Sequence, residues 1–327
     1  MQKSARLSKQ SSIRYTIQRA ATVVAYLIII LVLPVALTLH SVRTPASLVQ
    51  NSSNPTPFGY TISLSLFLFP MTALLFWMWC HKNLTIQKPA FLYSLALLIP
   101  TGVFLDILFG NTFFIFENHA AVSGITLPGI GGDIPIEEFI FYAAGFTTVL
   151  LLYLWCDEYW LAQYNIPDYR PATSNIRSIL HFHWPSVIIG LALIVIAIAY
   201  KKWLAEDNAG FPWYFIYITS AALIPSIGLY KSVSPFINWR AFSFTFFIIV
   251  LISLIWESTL ALPYQWWGFQ DNAMMGLYIG AWHHLPIEEI VVWFSVSYTT
   301  VIIYETVKIM LASGKTFRQL VFNHTSH

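Results

Sequence analysis

Eight apolar stretches, each about as long as a membrane-spanning helix, constrain the architecture of this chain most strongly. A helix needs about 20 mostly apolar residues to cross the hydrocarbon core of a bilayer. The stretches of this length are 19–39, 59–80, 89–110, 135–155, 184–203, 212–231, 240–262 and 286–311. Only 10% of the 327 residues are charged, against about 25% in soluble globular chains. The sequence therefore predicts an all-α integral membrane protein with about eight transmembrane helices.

The basic residues predict how these helices are oriented. Cytoplasmic connections carry an excess of Lys and Arg. Fourteen basic residues fall on one side of the predicted membrane, with only Arg43, Lys201 and Lys202 on the other. Both termini are therefore expected in the cytoplasm of a multi-pass protein of a bacterial or archaeal cell membrane. The first stretch is too long for a signal-peptide core and predicts an uncleaved anchor, while the acid-free tail before it leaves an organelle transit peptide as an alternative.

Net charge and cysteine placement narrow the functions further. A net charge of +2 gives no basis for nucleic-acid binding, because the topology already accounts for the basic residues. Cys80 and Cys156 fall at helix ends that are predicted to be cytoplasmic. Cytoplasmic thiols stay reduced, so no disulfide is expected.

An internal repeat organises the chain. The motif PIEE occurs at 135–138 and at 286–289, and the two prolines lie 151 residues apart. Without gaps, the same offset pairs Asp106 with Glu257, Gly129 with Gly280, Thr148 with Thr299 and Tyr153 with Tyr304. Matches in one common register indicate duplication. An even number of crossings per copy gives both copies the same orientation, as in parallel repeats.

The repeat sets the expected domain boundaries. Residues 1–155 form the first four-helix repeat and 156–183 form a cytoplasmic linker. Residues 184–311 form the second four-helix repeat, and 312–327 form a cytoplasmic tail. Each repeat then carries one PIEE motif at the outer face of the membrane.

Acidic residues gather at the outer ends of the predicted helices. One acid lies near the end of the third and of the seventh helix, and the PIEE glutamates open the fourth and the eighth. The six residues are Asp106, Glu137, Glu138, Glu257, Glu288 and Glu289. The loops beside them contain no Lys or Arg and many aromatic residues. Acids inside a membrane are costly and mark functional sites, so these six are the candidate catalytic residues.

A simpler explanation covers part of this pattern. Proline suits the first position of a helix, and a glutamate in the first turn favours the positive end of the helix dipole and accepts bonds from free N–H groups. Capping requires neither two adjacent glutamates nor an acid on the preceding helix. Adjacent helix residues point about 100° apart, so one glutamate of a pair can cap while the other faces a cavity. The sequence leaves open which does which.

Such a cluster suits acid–base chemistry on an apolar substrate. Burial and neighbouring carboxylates favour the protonated form of a carboxyl group, whereas a helix N-terminus favours the ionised form. Both influences together can hold a proton donor beside an acceptor. Aromatic faces stabilise cations by about 0.5–2 kcal/mol each, and the candidates are Phe141, Tyr142, Trp256 and Trp293. These features suit protonation of an alkene, closure of a ring by the carbocation and loss of a proton.

The doubled PxEE motif at helix starts, with an acid on the preceding helix, resembles the membrane-integral lycopene cyclase family, whose members are small helical cyclases and not the flavin-containing soluble type. The resemblance covers the second to fourth and the sixth to eighth predicted helices. The matching motif positions are Pro135, Glu137, Glu138, Pro286, Glu288 and Glu289. Asp106 and Glu257 resemble the upstream acidic position of that family.

The resemblance implies a redox-neutral cyclisation of the ψ ends of a linear carotene to β-ionone rings. An acid would protonate the terminal double bond, aromatic residues would stabilise the cation, and a carboxylate would remove the ring proton. We therefore expect a carotenoid cyclase of the intramolecular lyase or isomerase type, acting on lycopene taken from the bilayer. No metal, flavin or nucleotide cofactor is expected, and neither is an obligatory partner subunit.

The chain also departs from the family pattern. Each half has a leading helix that the half-units of the family usually lack. The sequences around the motif differ, with GGDIPIEE in one copy and WHHLPIEE in the other. These differences predict one composite site between unequal halves. They leave another polyprenoid substrate, or hydration in place of cyclisation, as alternatives.

Other functions remain open from the sequence. His283 and His284 precede the second motif and offer ligands for a divalent metal, but the first copy has glycines in their place, which favours interfacial histidines. Intramembrane acids and parallel repeats also fit a proton-coupled transporter, although the middles of the helices have almost no ionisable residue. A structural partner of another membrane enzyme would leave the matched acids without a purpose.

Several residues near the predicted membrane surfaces have plainer interpretations. Trp266, Trp267 and Trp282 fit an interfacial aromatic belt as well as a cavity lining. Glu305 and the pair Asp157 and Glu158 lie at predicted cytoplasmic helix ends. We interpret these three acids as ordinary flanking charges.

Overall fold

The computed structural model describes residues 57–81, 86–166, 169–173, 176, 178–206, 208–279, 285–315 and 319–320. Within these residues, seven helices are long and apolar enough to cross a membrane. They are α1 (Gly59–Cys80), α2 (Lys88–Phe113), α3 (Ile136–Trp155), α4 (Trp184–Trp203), α5 (Trp213–Val233), α6 (Trp239–Trp256) and α7 (Glu288–Ser313). Helices α3 and α6 continue into π-helical turns at Cys156–Trp160 and Glu257–Ala261. The protein is an all-α membrane protein, as predicted.

The predicted spans agree with these helices to within a few residues. Uninterrupted apolar runs give this agreement because a backbone in lipid must satisfy its own hydrogen bonds, which a helix does. The predicted first span, 19–39, lies outside the described residues. Cys80 and Cys156 are free thiols, which confirms the prediction that they form no disulfide.

Local signals set the helix ends, and apolar side chains cover the outside. Asn238 Oδ1 accepts a hydrogen bond from the Ala241 N–H at 3.2 Å and so caps the start of α6. Gly314, with a φ of 65°, ends α7 in the left-handed conformation that glycine favours. Large side chains such as Phe69 and Ile224 are more than two thirds exposed on the outer surface. That surface is suited to contact with lipid.

Helices α3 and α7 form the centre of the bundle. Helix α3 packs against α1, α2, α6 and α7, and α7 packs against α2, α3, α5 and α6. More than half of the apolar stretch of each central helix is buried, whereas at most a third of each other described span is buried. The helix before the last in each repeat thus contacts the last helix of the other repeat: α2 packs on α7, and α6 packs on α3. The two halves interlock.

Short strands cover the end of the bundle at which α3 and α7 begin. Strand β1 (Phe114–Ile115) pairs antiparallel with β4 (Gly268–Phe269), so the loops of the two repeats join. Strands β2 (Thr126–Gly129) and β3 (Gly132–Pro135) form a hairpin that leads into α3. A bridge between Tyr278 and Pro286 stands at the equivalent place before α7. The repeat is therefore visible in the loops as well as in the helices.

The opposite end of the bundle holds a buried charged network. Glu305, Asp157 and Lys308 are each at most 1% exposed. Lys308 Nζ lies 3.4 Å from Glu305 Oε1 and 3.9 Å from Asp157 Oδ2. Tyr153 donates to Glu305 Oε1 at 2.9 Å, and Tyr169 donates to Glu305 Oε2. The prediction that Glu305 and Asp157 are ordinary flanking charges was therefore wrong.

This network joins the two repeats. Asp157 follows α3, Glu305 and Lys308 lie on α7, and Asn238 before α6 donates to Asp157 Oδ1 at 2.9 Å. Charges are tolerated in the interior only when they are paired and hydrogen-bonded. The partners come from both halves of the chain, so the position of each acid near a helix end did not reveal its burial.

Candidate active site

Three of the acids at the strand-covered end line a cavity of about 50 Å³. The carboxyl groups of Glu138, Glu257 and Glu289 line it. Aromatic rings form much of the remaining wall, from Tyr60, Phe114, Phe141, Tyr142, Phe146, Tyr214, Trp267 and Trp293. Both repeats contribute lining residues, so the acids of the two halves share one cavity.

The second glutamate of each PIEE motif faces this cavity. Glu138, in the first turn of α3, accepts a hydrogen bond from the Tyr60 hydroxyl at 3.0 Å. Glu289, in the first turn of α7, accepts one from the Tyr214 hydroxyl at 3.3 Å. Tyr60 and Tyr214 stand at the starts of α1 and α5, so the two contacts are equivalent. Each tyrosine orients a carboxyl group that lines the cavity.

The first glutamate of each motif holds a loop. Glu137 Oε1 accepts from the Ser123 N–H at 2.7 Å and from Thr61 Oγ1 at 2.5 Å. Glu288 Oε1 accepts from the Met275 N–H at 2.5 Å. Both glutamates are at most 1% exposed, and neither lines the cavity. The first glutamate therefore anchors the chain that precedes its helix, and the second faces the cavity.

The two upstream acids occupy different positions. Glu257 lines the cavity together with Glu289, and Ser253 Oγ donates to Glu257. Glu257 also begins the π-helical turn of α6, a feature common at functional sites. Asp106 is 3% exposed and lies close to Glu138, but it does not line the cavity. The second repeat thus supplies two carboxyl groups to the cavity and the first repeat supplies one.

The predicted aromatic residues are placed in two adjoining spaces. Phe141, Tyr142 and Trp293 line the acid cavity. Trp256 lines an apolar groove beside it and stacks on Phe141 with ring centroids 5.6 Å apart. Trp293 meets Phe141 edge-on, with centroids 5.8 Å apart. Phe141 and Trp293 therefore border both spaces.

Several residues of the cavity wall were not predictable from the sequence pattern. Tyr60 and Tyr214 match one another only when the repeat register is shifted by three residues, so the gap-free offset did not pair them. Trp267 lines the cavity, and Trp266 stacks on Tyr60 with centroids 6.2 Å apart. Both tryptophans are buried, so they are not belt residues. Trp282 lies outside the described residues.

A buried lysine lies near Glu288, the glutamate that anchors the loop before α7. Lys201, near the end of α4, is fully buried and donates to the Asp271 carbonyl at 3.3 Å. Its charge also acts on Glu288. The loops beside the acids contain no basic residue, and the lysine reaches them from a neighbouring helix. This contact further distinguishes Glu288 from the three carboxyl groups of the cavity.

The described residues offer no site for the metal ion that the sequence left as an alternative. In the part of the chain that the structure describes, no group of three or more His, Cys, Asp or Glu side chains is arranged to hold a metal ion. His283 and His284 lie outside that part. A metal site that includes them therefore stays a hypothesis.

Removal of the Glu137 carboxyl group is expected to loosen the loop before the β2–β3 hairpin. A hydrogen bond to a charged group contributes about 1.5–3 kcal/mol, so amide exchange at Ser123 should be about tenfold to a hundredfold faster in Glu137→Ala. Glu137→Gln keeps an acceptor oxygen and should exchange at nearly the native rate. Hydrogen–deuterium exchange measures both variants. Equal exchange in Glu137→Ala and the native protein would contradict the anchoring role.

A known protein family matches a region in each of the two repeats. The family model described as lycopene cyclase matches residues 59–161 and 211–307, which together cover more than half of the chain. The two matched regions contain the two PIEE motifs, helices α1–α3, α5 and α6, and α7 as far as residue 307. No curated protein and no solved structure gives a significant match. The twofold match over the described repeats establishes that this chain belongs to the lycopene cyclase family.

Proposed function

We propose that the protein is a carotenoid cyclase that converts the ψ end groups of lycopene to ionone rings by acid-initiated, redox-neutral cyclisation. The observation that carries this proposal is the single cavity shared by Glu138, Glu257 and Glu289 and walled by aromatic rings. Family membership supplies the substrate class. The cavity supplies proton donors, proton acceptors and cation-stabilising faces in one apolar space.

Glu257 and Glu289 form the proton donor in this proposal. Their side chains line the same cavity, and two neighbouring buried carboxyl groups share a proton because both cannot ionise together. Ser253 donates to Glu257 and Tyr214 donates to Glu289, which fixes the pair. The shared proton can then pass to the terminal double bond of a polyene that occupies the cavity.

Ring closure follows without gain or loss of atoms. Proton transfer forms a C–H bond at the terminal double bond and leaves a tertiary cation on the adjacent carbon. The electron pair of a double bond farther along the chain attacks this cation, which forms the C–C bond of the ring and moves the charge into it. The rings of Phe141, Tyr142 and Trp293 line this space, and each aromatic face stabilises a desolvated cation by about 2 kcal/mol.

Glu138 is the proton acceptor. It faces the same cavity from α3 and is held by Tyr60. Removal of a ring proton by Glu138 forms the ring double bond, so the enzyme regains the proton that it gave and the product is an isomer of the substrate. Glu138 then releases that proton to water, and reprotonation of Glu257 and Glu289 from water restores the starting state. Asp106 lies near Glu138 but does not line the cavity, so we assign it an electrostatic effect on Glu138 and no contact with the substrate.

Glu137 and Glu288 are also positioning residues. Each ties the first turn of a central helix to the loop before it, and this sets the direction in which Glu138 and Glu289 point. We therefore expect Glu137→Gln to retain turnover, because the amide oxygen accepts the same bonds. Both ends of a symmetric carotene would use the one composite cavity in turn.

Turnover in D2O tests the proposal. The added proton comes from exchangeable carboxyl groups, so each ring formed in D2O should carry a single non-exchangeable deuterium. The product formed in H2O should have the mass of lycopene. The measurement is mass spectrometry of pigments made from lycopene by the purified protein, with the ring type assigned by chromatography and absorbance.

Three other outcomes would contradict the proposal in different ways. Cyclic product without deuterium would exclude protonation by an exchangeable acid. Product heavier than lycopene by one water would identify a hydratase. Unchanged lycopene with folded protein would overturn the substrate assignment and favour another polyprenoid or the transporter hypothesis.

A further inference from the structure

An apolar groove of about 280 Å³ runs between α1 and α6 beside the acid cavity. On α1 it extends from Ser63 to Pro70, and on α6 from Ile249 to Trp256. Seven helical residues span about 10 Å, so the groove leads from the acid end toward the middle of the bundle. The groove and the cavity share Phe141, Gly145 and Trp293 as lining residues. The two spaces therefore adjoin at α3.

The outer side of this groove lies on the lipid-facing surface. Leu66 is 69% exposed and Ile252 is 42% exposed, and both line it. At the acid end the groove is bridged by a hydrogen bond of 2.6 Å from Trp256 Nε1 to Ser63 Oγ. An apolar molecule in the bilayer can therefore reach the groove sideways, without crossing water.

The equivalent gap in the other repeat is filled. In the register that pairs Tyr60 with Tyr214, Ser63 corresponds to Tyr217. The ring of Tyr217 packs between α5 and α2, with centroids 5.5 Å from Phe109 and 5.1 Å from Phe113. A small serine thus leaves space where the other copy has a large ring. The duplicated fold is open to lipid beside α1 and occupied beside α5.

We infer that the groove between α1 and α6 binds the unreacted part of a long linear polyene while one of its ends lies among the acids. This inference rests on the proposed function. An extended carotenoid is a rod about as long as the hydrocarbon core of a bilayer is thick, about 30 Å. Such a rod cannot fit within the acid cavity, so most of it must lie in a space that adjoins that cavity.

Gly145 is the smallest of the residues that line both spaces. It lies on α3 between them, and a Cβ added there would stand 3.7 Å from the Trp293 ring. That distance is an ordinary van der Waals contact, so the fold tolerates a methyl group. A longer side chain would project into the two spaces. Glycine at this position therefore keeps side-chain bulk away from the place where the groove adjoins the acid cavity.

A tyrosine in the groove, at the position that Tyr217 holds in the other repeat, is expected to exclude lycopene from the groove. Ser63→Tyr should lower lycopene turnover by at least about tenfold, the range in which pocket filling discriminates between substrates. Gly145→Leu should act in the same direction. Ser65→Tyr is the matched control, because Ser65 is exposed on the same helix and does not line the groove. Equal loss of turnover in Ser63→Tyr and Ser65→Tyr would overturn the inference.

Cysteine protection tests occupancy independently of turnover. On a Cys80→Ser background, Ile252→Cys places a thiol in the groove, and Ile255→Cys places one on the exposed face of α6 as control. Lycopene should slow maleimide labelling at position 252 severalfold and leave position 255 unchanged. Equal protection of both positions, or equal protection by lycopene and by the saturated hydrocarbon squalane, would mean nonspecific lipid contact and overturn the inference.

The two proposals fail in distinguishable ways. Protection at position 252 without ring formation would leave the groove assignment intact and overturn the cyclase mechanism. Ring formation that persists in Ser63→Tyr and Gly145→Leu, without protection at position 252, would leave the mechanism intact and overturn the groove assignment.

Discussion

We expect Glu289→Gln to lower the rate of ring formation by about 100- to 10,000-fold, the usual contribution of general acid–base catalysis. The amide cannot share a proton with Glu257, although it still accepts the hydrogen bond from Tyr214. Glu257→Gln should have an effect of the same size, because the two residues act as a pair. The measurement is the initial rate of lycopene consumption by purified variants of unchanged melting temperature.

Glu117→Gln is the control for this change. Glu117 lies at the same end of the bundle but is exposed and does not line the cavity, so its variant should keep the native rate. Native rates in both Glu257→Gln and Glu289→Gln would contradict the assignment of the donor pair. Loss of activity together with a lower melting temperature would instead indicate a packing role.

We expect Lys308→Met to lower the stability of the folded protein more than any other substitution that we propose. It leaves the buried carboxyl groups of Glu305 and Asp157 without their cation, and breaking such a pair costs about 3–5 kcal/mol. For a chain of this size the melting temperature should fall by on the order of 10 °C. Thermal unfolding in detergent, followed by tryptophan fluorescence, measures the change. The variant that remains folded should keep its turnover per molecule, because the network lies at the opposite end from the acid cavity.

A second substitution tests whether charge imbalance is the cause. Glu305→Gln added to Lys308→Met removes one of the two unpaired acids and should restore part of the lost stability. Lys231→Met is the control, because Lys231 is exposed in the last turn of α5 and its variant should unfold near the native temperature. A double variant less stable than Lys308→Met would show that hydrogen bonds to Glu305, not charge balance, determine the effect.

Hydrophobic length and local composition were enough to predict much of the fold. Spans such as 59–80 and 184–203 coincide with α1 and α4, because an apolar run of this length has only one way to satisfy its backbone in lipid. The repeat register also placed Glu257 and the PIEE motifs at one end of the bundle. These features depend on neighbouring residues in the sequence, so the sequence carries them directly.

Side-chain direction was not predictable in the same way. Whether Glu137 or Glu138 faces a cavity depends on the rotation of α3 and on Tyr60, which comes from a helix far earlier in the chain. Burial of Glu305 depends on Tyr153 and Lys308, which two different segments supply. A charge near a helix end has the same local sequence whether it meets water or a partner. Only contacts across the repeats distinguish the two cases.

The interlocking of the two halves constrains how the protein is made. Helix α3 inserts into the membrane during translation well before α6 and α7, against which it finally packs. Until those helices emerge, the polar face of α3 around Glu138 has no protein partner across the repeat. The last of the described helices then brings Glu289 to one end and Lys308 to the other. Insertion of α7 therefore completes the acid cavity and the charged network in one step, and a truncated chain would present unpaired buried acids to membrane quality control.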